Sequence, residues 1–240
     1  PLPIIKGQDE VANLAGSFVS MRGELKKHID MLQAAATAKE RIASELRIAQ
    51  SIQMELVPKT FPPFPDRQDF ELYAMMNPAR EVGGDFYDFL MPDPEHLWIV
   101  IGDVSGKGIP AALFMAVTRT FLRAFVQEEA SPGRVLVRVN DELACNNESN
   151  MFVTLFCGVV HLPDGVFRWG NGGHNPPFFL PAGGKTEFLP RTKGALVGVI
   201  EELAFAEAEL KLQPGDTLFL YTDGVTEAMN QTQQLFGNDR

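Results

Sequence analysis

Cysteine is scarce in this chain: Cys145 and Cys157 are the two in 240 residues, and they form neither a zinc spacing nor a disulfide framework. A reducing compartment is therefore the default. Excess positive charge is missing too. Twenty-one Lys and Arg against 31 Asp and Glu leave a formal charge of −10, which excludes a general electrostatic pull toward nucleic acid or anionic lipid. No apolar run approaches the ~20 residues of a membrane span. Neither an initiator Met nor a basic, apolar signal segment opens the sequence, which reads as a soluble piece consistent with excision from something longer. What is present is ordinary for a globular protein with a real core: 45% apolar and 22% charged residues.

The first quarter differs in kind from the rest. Asp9 to Leu56 contains no Pro and is rich in Ala, Glu, Lys, Gln and Leu, all strong helix formers. Its apolar residues fit a heptad. Leu25, Leu32, Lys39, Leu46 and Gln53 share one repeat position, and His28, Ala35, Ile42, Ala49 and Leu56 the other, with seven of these ten apolar. That pattern predicts a coiled coil and a homodimer through the helix, though Lys39, Gln53 and His28 weaken the seam. The competing reading is one amphipathic helix lying on its own domain. Pro58 disfavours helix in the residue before it, so the helix should end near Val57.

Pro58 to Pro65 is a stiff, extended entry segment. Strands are expected at Phe70–Met76, Phe86–Leu90, Leu97–Ile101, Phe152–Val160, Val166–Trp169, Phe178–Leu180, Thr186–Leu189, Phe205–Leu212 and Thr217–Thr222. Helices are expected at Ile109–Glu129 and from Ser131 onward, with Ser131 as N-cap and Pro132 at the first helical position. Short turns, such as Pro163-Asp164-Gly165, favour antiparallel pairing with the helices grouped in a block. The fold class is thus α+β: an antiparallel β-sandwich flanked by helices, with an N-terminal helical extension.

Three segments share one design. Asp85 follows Gly83-Gly84, Asp103 ends the apolar run Trp98–Ile101 before a glycine-rich loop, and Asp223-Gly224 ends the run Leu218–Thr222. A carboxylate at the edge of an apolar core is costly unless a cation or hydrogen bonds compensate it. Each alone has a bland explanation, since Asp-Gly is a common turn signal and Asp caps helices. Three together, each beside glycine, point to a metal. All-oxygen ligation without Cys or a suitable His pair points to Mg²⁺ or Mn²⁺. A bound cation would also give an acidic protein the local positive charge that phosphate handling needs. Competing motifs fail: Gly102–Lys107 is one residue short of a phosphate loop, and Gly170–His174 opens onto Asn175-Pro176-Pro177, not a helix. His174, with no nucleophile motif beside it, reads as structural.

Val82-Gly-Gly-Asp-Phe-Tyr-Asp88, Gly102-Asp-Val-Ser-Gly-Lys-Gly108 with Ala111-Ala112, Gly172-Gly-His-Asn-Pro-Pro177 and Tyr221-Thr-Asp-Gly-Val-Thr-Glu-Ala228 occur in order. Together they resemble the PPM (protein phosphatase 2C-like) metal-dependent serine/threonine phosphatases, in their SpoIIE/RsbU-type branch. The likeness runs from Ile48–Gln53 through Phe236-Gly237. Separately, Gly7–Leu14 with Phe18, Met21 and Leu25 is similar to the second helix of a HAMP signal-relay module. The resulting expectation is a partial HAMP module over residues 1–25, a coiled-coil linker over 26–57 and a phosphatase domain over 58–240.

The resemblance implies two Mn²⁺ or Mg²⁺ ions sharing a water that attacks a phosphoserine or phosphothreonine phosphorus in line. Asp103 would bridge both ions, Asp85 would hold one and Asp223 the other, with the Val104 carbonyl as a further ligand. Asp88 would be either a supporting residue or a surface strand residue, and Arg80 is a weak phosphate-binding candidate. The resemblance also implies a final strand with one more metal-binding Asp beyond Phe236-Gly237, so the domain is expected to be C-terminally truncated. Its implied substrate is a phosphorylated STAS-domain anti-anti-sigma factor, in partner-switching control of transcription during a stress response. The implied setting is the cytoplasmic portion of an inner-membrane sensor, in which rearrangement of residues 7–57 shifts the helix after Asp103. Two other classes compete: a non-catalytic pseudophosphatase relaying a signal, and a dimerisation module with a passenger domain.

Overall fold

The computed structural model of the protein describes residues 10–78, 81–145 and 147–237. It divides into two compact units, Pro1–Ala49 and Gln50–Arg240. Helix α1 runs unbroken over Glu10–Leu56, stopping two residues before Pro58 as the proline requires. The stretches expected as HAMP helix and linker therefore form one element, with Gly7 to Asp9 outside the described residues. Heptad residues Leu25, Leu32 and Ile42 are exposed along it.

In the second unit, β1 (Phe86–Asp93) and β2 (His96–Val104) form a hairpin, followed by α2 (Ile109–Val126) and α3 (Pro132–Ala144). Next come β3 (Val153–His161), β4 (Val166–Gly172), β5 (Phe178–Leu180), β6 (Glu187–Phe188), β7 (Glu207–Lys211), β8 (Thr217–Phe219) and a one-turn helix α4 (Asp223–Thr226). One antiparallel sheet has the order β1-β2-β3-β4-β7 and a second the order β6-β5-β8. Local chemistry places the boundaries. Ser131 caps α3, its hydroxyl accepting from Arg134 N at 3.2 Å with Pro132 at the first helical position. Gly165 takes φ +73° in the β3–β4 turn, where its N–H donates to His161 O at 2.9 Å.

Alternation along the strands sorts the core into two layers. Trp98, Val100 and Val104 of β2 pack with Leu155, Cys157 and Val159 of β3 against Met115, Leu122, Leu136 and Val139 of the helices. Leu97, Ile99 and Ile101 face the other way, with Phe156, Phe167, Trp169 and Phe179 between the two sheets. Each buried indole removes roughly 150–250 Å² from water. The layer order is helices, sheet, sheet, with α2 and α3 covering the first sheet.

Three expectations change. Phe70–Met76 is extended and alternates in burial, with Phe70 and Leu72 packed on the inter-sheet core, but it joins no ladder. Alternation reports a half-buried extended chain, not a hydrogen-bonding partner. The Asp-Gly at 223–224 opens α4 where a strand end was expected. Finally, α2 is apolar enough over 18 residues (mean hydropathy 1.4) to pass as a membrane span by composition. It instead packs on β1, β2 and α3, with Arg119 and Arg123 engaged by Asp88.

Candidate metal centre

The same alternation aims the acidic residues. Asp103 lies on the face of β2 that carries Leu97, Ile99 and Ile101, so it points toward the second sheet at the end of the ladder, paired in register with Thr154 of β3. Asp85 immediately precedes β1, opposite in phase to Phe86 and Asp88. Asp223 opens α4, just beyond β8 of the second sheet. Asp85 and Asp103 from the first sheet and Asp223 just past the second thus lie toward one end of the sandwich.

Close approach fixes the Asp85 loop. A Cβ on Gly84 would sit 2.6 Å from the Val104 carbonyl oxygen and 2.9 Å from Val104 Cβ, so only glycine lets this loop lie on the end of β2. Gln53, in the last turns of α1, holds the neighbouring residue at both backbone groups. Its Nε2 donates to Gly83 O, and its Oε1 accepts from Gly83 N at 3.2 Å. Gln53 is buried, so the heptad position predicted for it is in fact a clamp on the Asp85 loop. Replacing Gly84 with Ala must push this loop off the end of β2 and is expected to lower the unfolding midpoint. Thermal unfolding of the variant would check this; an unchanged midpoint would contradict it.

Thr222 stands at the N-cap of α4, yet its hydroxyl makes no cap bond and instead donates to Asp85 Oδ2 at 3.0 Å. One residue therefore ties the Asp223 turn to the Asp85 loop. Burial, together with the facing carboxyls of Asp85, Asp223 and Glu227, pushes the Asp103 carboxyl up to about 8. Of these carboxyls Asp85 acts on Asp103 most strongly, ahead of Asp223 and Glu227. Among the described residues no three acidic, His or Cys side chains close around a single point. Crowded oxygen donors whose charges repel one another suit a hard divalent cation, which would relieve that repulsion.

Asp88 is no surface strand residue. It is 1% exposed and faces α2, where Oδ2 accepts from Arg123 Nε at 2.7 Å and Oδ1 from Arg123 Nη2 at 2.8 Å. Arg119 Nε lies 3.0 Å from Oδ2, an ion pair by distance, although its N–H is not aimed for a hydrogen bond. The Val104 carbonyl packs against Gly84 beside Asp85. Arg80 lies outside the described residues.

His174, read from its glycine-rich setting as structural, has informative partners. It is 6% exposed, with Nδ1 2.9 Å from Thr154 Oγ1 and Nε2 3.2 Å from the Tyr221 carbonyl. A carbonyl can only accept, so Nε2 carries the proton and Nδ1 accepts from the Thr154 hydroxyl. Burial lowers the pKa of this ring to about 4, which keeps it neutral. Asn171 grips the His174 backbone from both sides, accepting from its N at 2.7 Å and donating to its O at 3.0 Å.

The layered α+β fold is that of solved PP2C-type domains. The SiaA PP2C domain of Pseudomonas aeruginosa superposes with a TM-score of 0.66 over 84% of this chain and 80% of that one, at 22% identity. Residues 93–240 match the family described as Stage II sporulation protein E (SpoIIE), and the chain belongs to that family. Protein IcfG of Synechocystis sp. is 34% identical over 261 residues, covering 97% of this chain. Phosphoserine phosphatase RsbU of Bacillus subtilis is 30% identical over 192 residues, covering 80%. The chain spans 40% and 56% of the lengths of these two relatives.

Proposed function

We propose that this chain is the catalytic part of a Mn²⁺- or Mg²⁺-dependent phosphoserine/phosphothreonine protein phosphatase, acting on a phosphorylated STAS-domain partner. The observation that supports this reading is the placing of Asp85 and Asp223 near enough to Asp103 for their charges to act on its carboxyl. With it goes an Asp103 carboxyl pushed up to about 8 by burial and by its acidic neighbours. Two ions held there by these three carboxylates, with the Val104 carbonyl as a further donor, would activate water and neutralise phosphate charge. The chain's own part is to hold the donors. Gln53 and Gly84 fix the loop before Asp85, Thr222 links that loop to Asp223, and the β2–β3 ladder sets Asp103.

Regulation through the long helix is part of the reading. The exposed heptad residues of α1 favour a homodimer, and the Gln53–Gly83 clamp supports a route from its last turns to the Asp85 loop. We further place the protein in the cytoplasm as part of a membrane-tethered sensor.

The test is release of inorganic phosphate from a serine-phosphorylated STAS-domain protein, with Mn²⁺ and with excess chelator. Turnover that requires the metal supports the reading. Binding of the phosphoprotein without turnover would favour a non-catalytic signal relay.

A further inference from the structure

His174 occupies a place that neither the metal chemistry nor the core accounts for. Asp103 belongs to the first sheet and Asp223 to the turn after the second, and nothing covalent near the site joins them. Thr154 sits directly across the ladder from Asp103, and its hydroxyl is also 3.3 Å from the Asp103 carbonyl oxygen. Tyr221 is two residues before Asp223; its own ring is buried, 5.6 Å from Phe178 and 6.0 Å from Phe219 between centroids. The imidazole spans these two points with both nitrogens engaged, and the Asn171 bonds fix where its backbone stands. A single hydroxyl proton serves one acceptor, and the shorter contact at 2.9 Å assigns it to Nδ1.

From this geometry we propose that His174 is a positioning residue of the metal centre. Its two hydrogen bonds set the distance between Asp103 and Asp223, and so the affinity for the divalent ion that both would hold. The inference rests on the reading of this site as a metal-dependent phosphatase centre. It predicts an effect on ion binding that an ordinary core histidine would not produce. A stiff, buried link matters here because Asp223 reaches Asp103 only through space, so a small drift of the α4 turn would change the ion's coordination.

The experiment is Mn²⁺ binding by titration calorimetry and electron paramagnetic resonance on the whole chain, beside unfolding midpoints measured in chelator. His174→Phe removes both hydrogen bonds while keeping a ring. It is expected to weaken Mn²⁺ binding roughly 10- to 100-fold, the usual range for loss of a group that orients metal ligands. His174→Gln, whose amide can donate to the Tyr221 carbonyl, should restore part of that loss. Thr154→Val, nearly isosteric, should weaken binding in the same direction without unfolding the domain, keeping the test open if His174→Phe does not fold. Combining Thr154→Val with His174→Gln should cost less than the sum of the two, as expected for one shared link. Variants that lower the unfolding midpoint but bind Mn²⁺ as the parent does would overturn the proposal. A parent chain that binds no Mn²⁺ would overturn the phosphatase reading itself, a result distinguishable because it appears before any substitution.

Discussion

Replacing Asp103 with Asn is expected to lower Mn²⁺-dependent phosphate release by about three orders of magnitude, the scale of losing one preorganised electrostatic group in a catalytic site. Asn keeps the shape of the side chain and can still accept a hydrogen bond, so the fold should survive. The same substitution should raise the stability of the metal-free protein at neutral pH. In that state the Asp103 carboxyl is pushed up to about 8, against about 3.9 for an unfolded chain. Between those values the unfolded chain has lost the proton that the folded protein still holds. Stability from this group is therefore intact below about pH 4 and is lost as pH rises toward 8. The parent should show this decline in chelator and recover with Mn²⁺. Asp103→Asn should show neither the decline nor the recovery. Chemical denaturation from pH 4 to 8, with and without metal, would measure both, and an equal pH dependence in parent and variant would sink the assignment.

The second large effect is on stability. Asp88 lies at the interface of β1 and α2, its side chain 2% exposed, where it meets two guanidinium groups. Burial alone already disfavours the charge on Arg119, and Asp88 is the group that compensates it. Asp88→Ala leaves a largely buried cation without a partner, a change that costs about 3–5 kcal/mol. For a domain of this size that corresponds to a fall of roughly 10 °C in the unfolding midpoint. The contribution of the pair against an apolar alternative is a different quantity. Replacing Asp88 and Arg119 together with apolar residues of similar volume should recover most of the loss, because no charge is then stranded. If the double replacement is as unstable as Asp88→Ala, the loss comes from packing and not from the unpaired cation. Because Asp88 lies three residues after Asp85, Asp88→Ala should also loosen the metal loop, visible as weaker Mn²⁺ binding in whatever fraction remains folded.

What could be read in advance was what local chemistry writes. A carboxylate after a buried β run, beside glycines, advertises a polar site at a strand end. Asp85, Asp103 and Asp223 were singled out this way, and Ser131-Pro132 marked the start of α3 for an equally local reason. Apolar patterning marked β1 to β4, expected at Phe86–Leu90, Leu97–Ile101, Phe152–Val160 and Val166–Trp169. It could not say that Phe70–Met76 lacks a ladder partner, because period-2 burial is shared by paired and unpaired extended chain. The supporting contacts were out of reach for a different reason. Gln53 meets Gly83 across 30 residues, Asp88 meets Arg123 across 35 and Thr222 meets Asp85 across 137. None of these pairs carries a spacing rule. Gln53 was even placed in a heptad seam, since a buried glutamine in a helix gives the same one-letter pattern whether it faces a second helix or its own domain. The tautomer and partners of His174 likewise depend on which two strand ends the fold brings to one ring.

The central claim is that the carboxylates at the end of the sandwich act through a divalent ion on a phosphoserine. It is tested most directly by following phosphate release from a phosphoserine peptide as Mn²⁺ is titrated into chelator-stripped protein, in the parent and in Asp103→Asn. The account predicts turnover that rises from background and saturates with Mn²⁺ in the parent and stays near background in the variant. Turnover that proceeds unchanged in chelator, or that is equal in the two proteins, would contradict it.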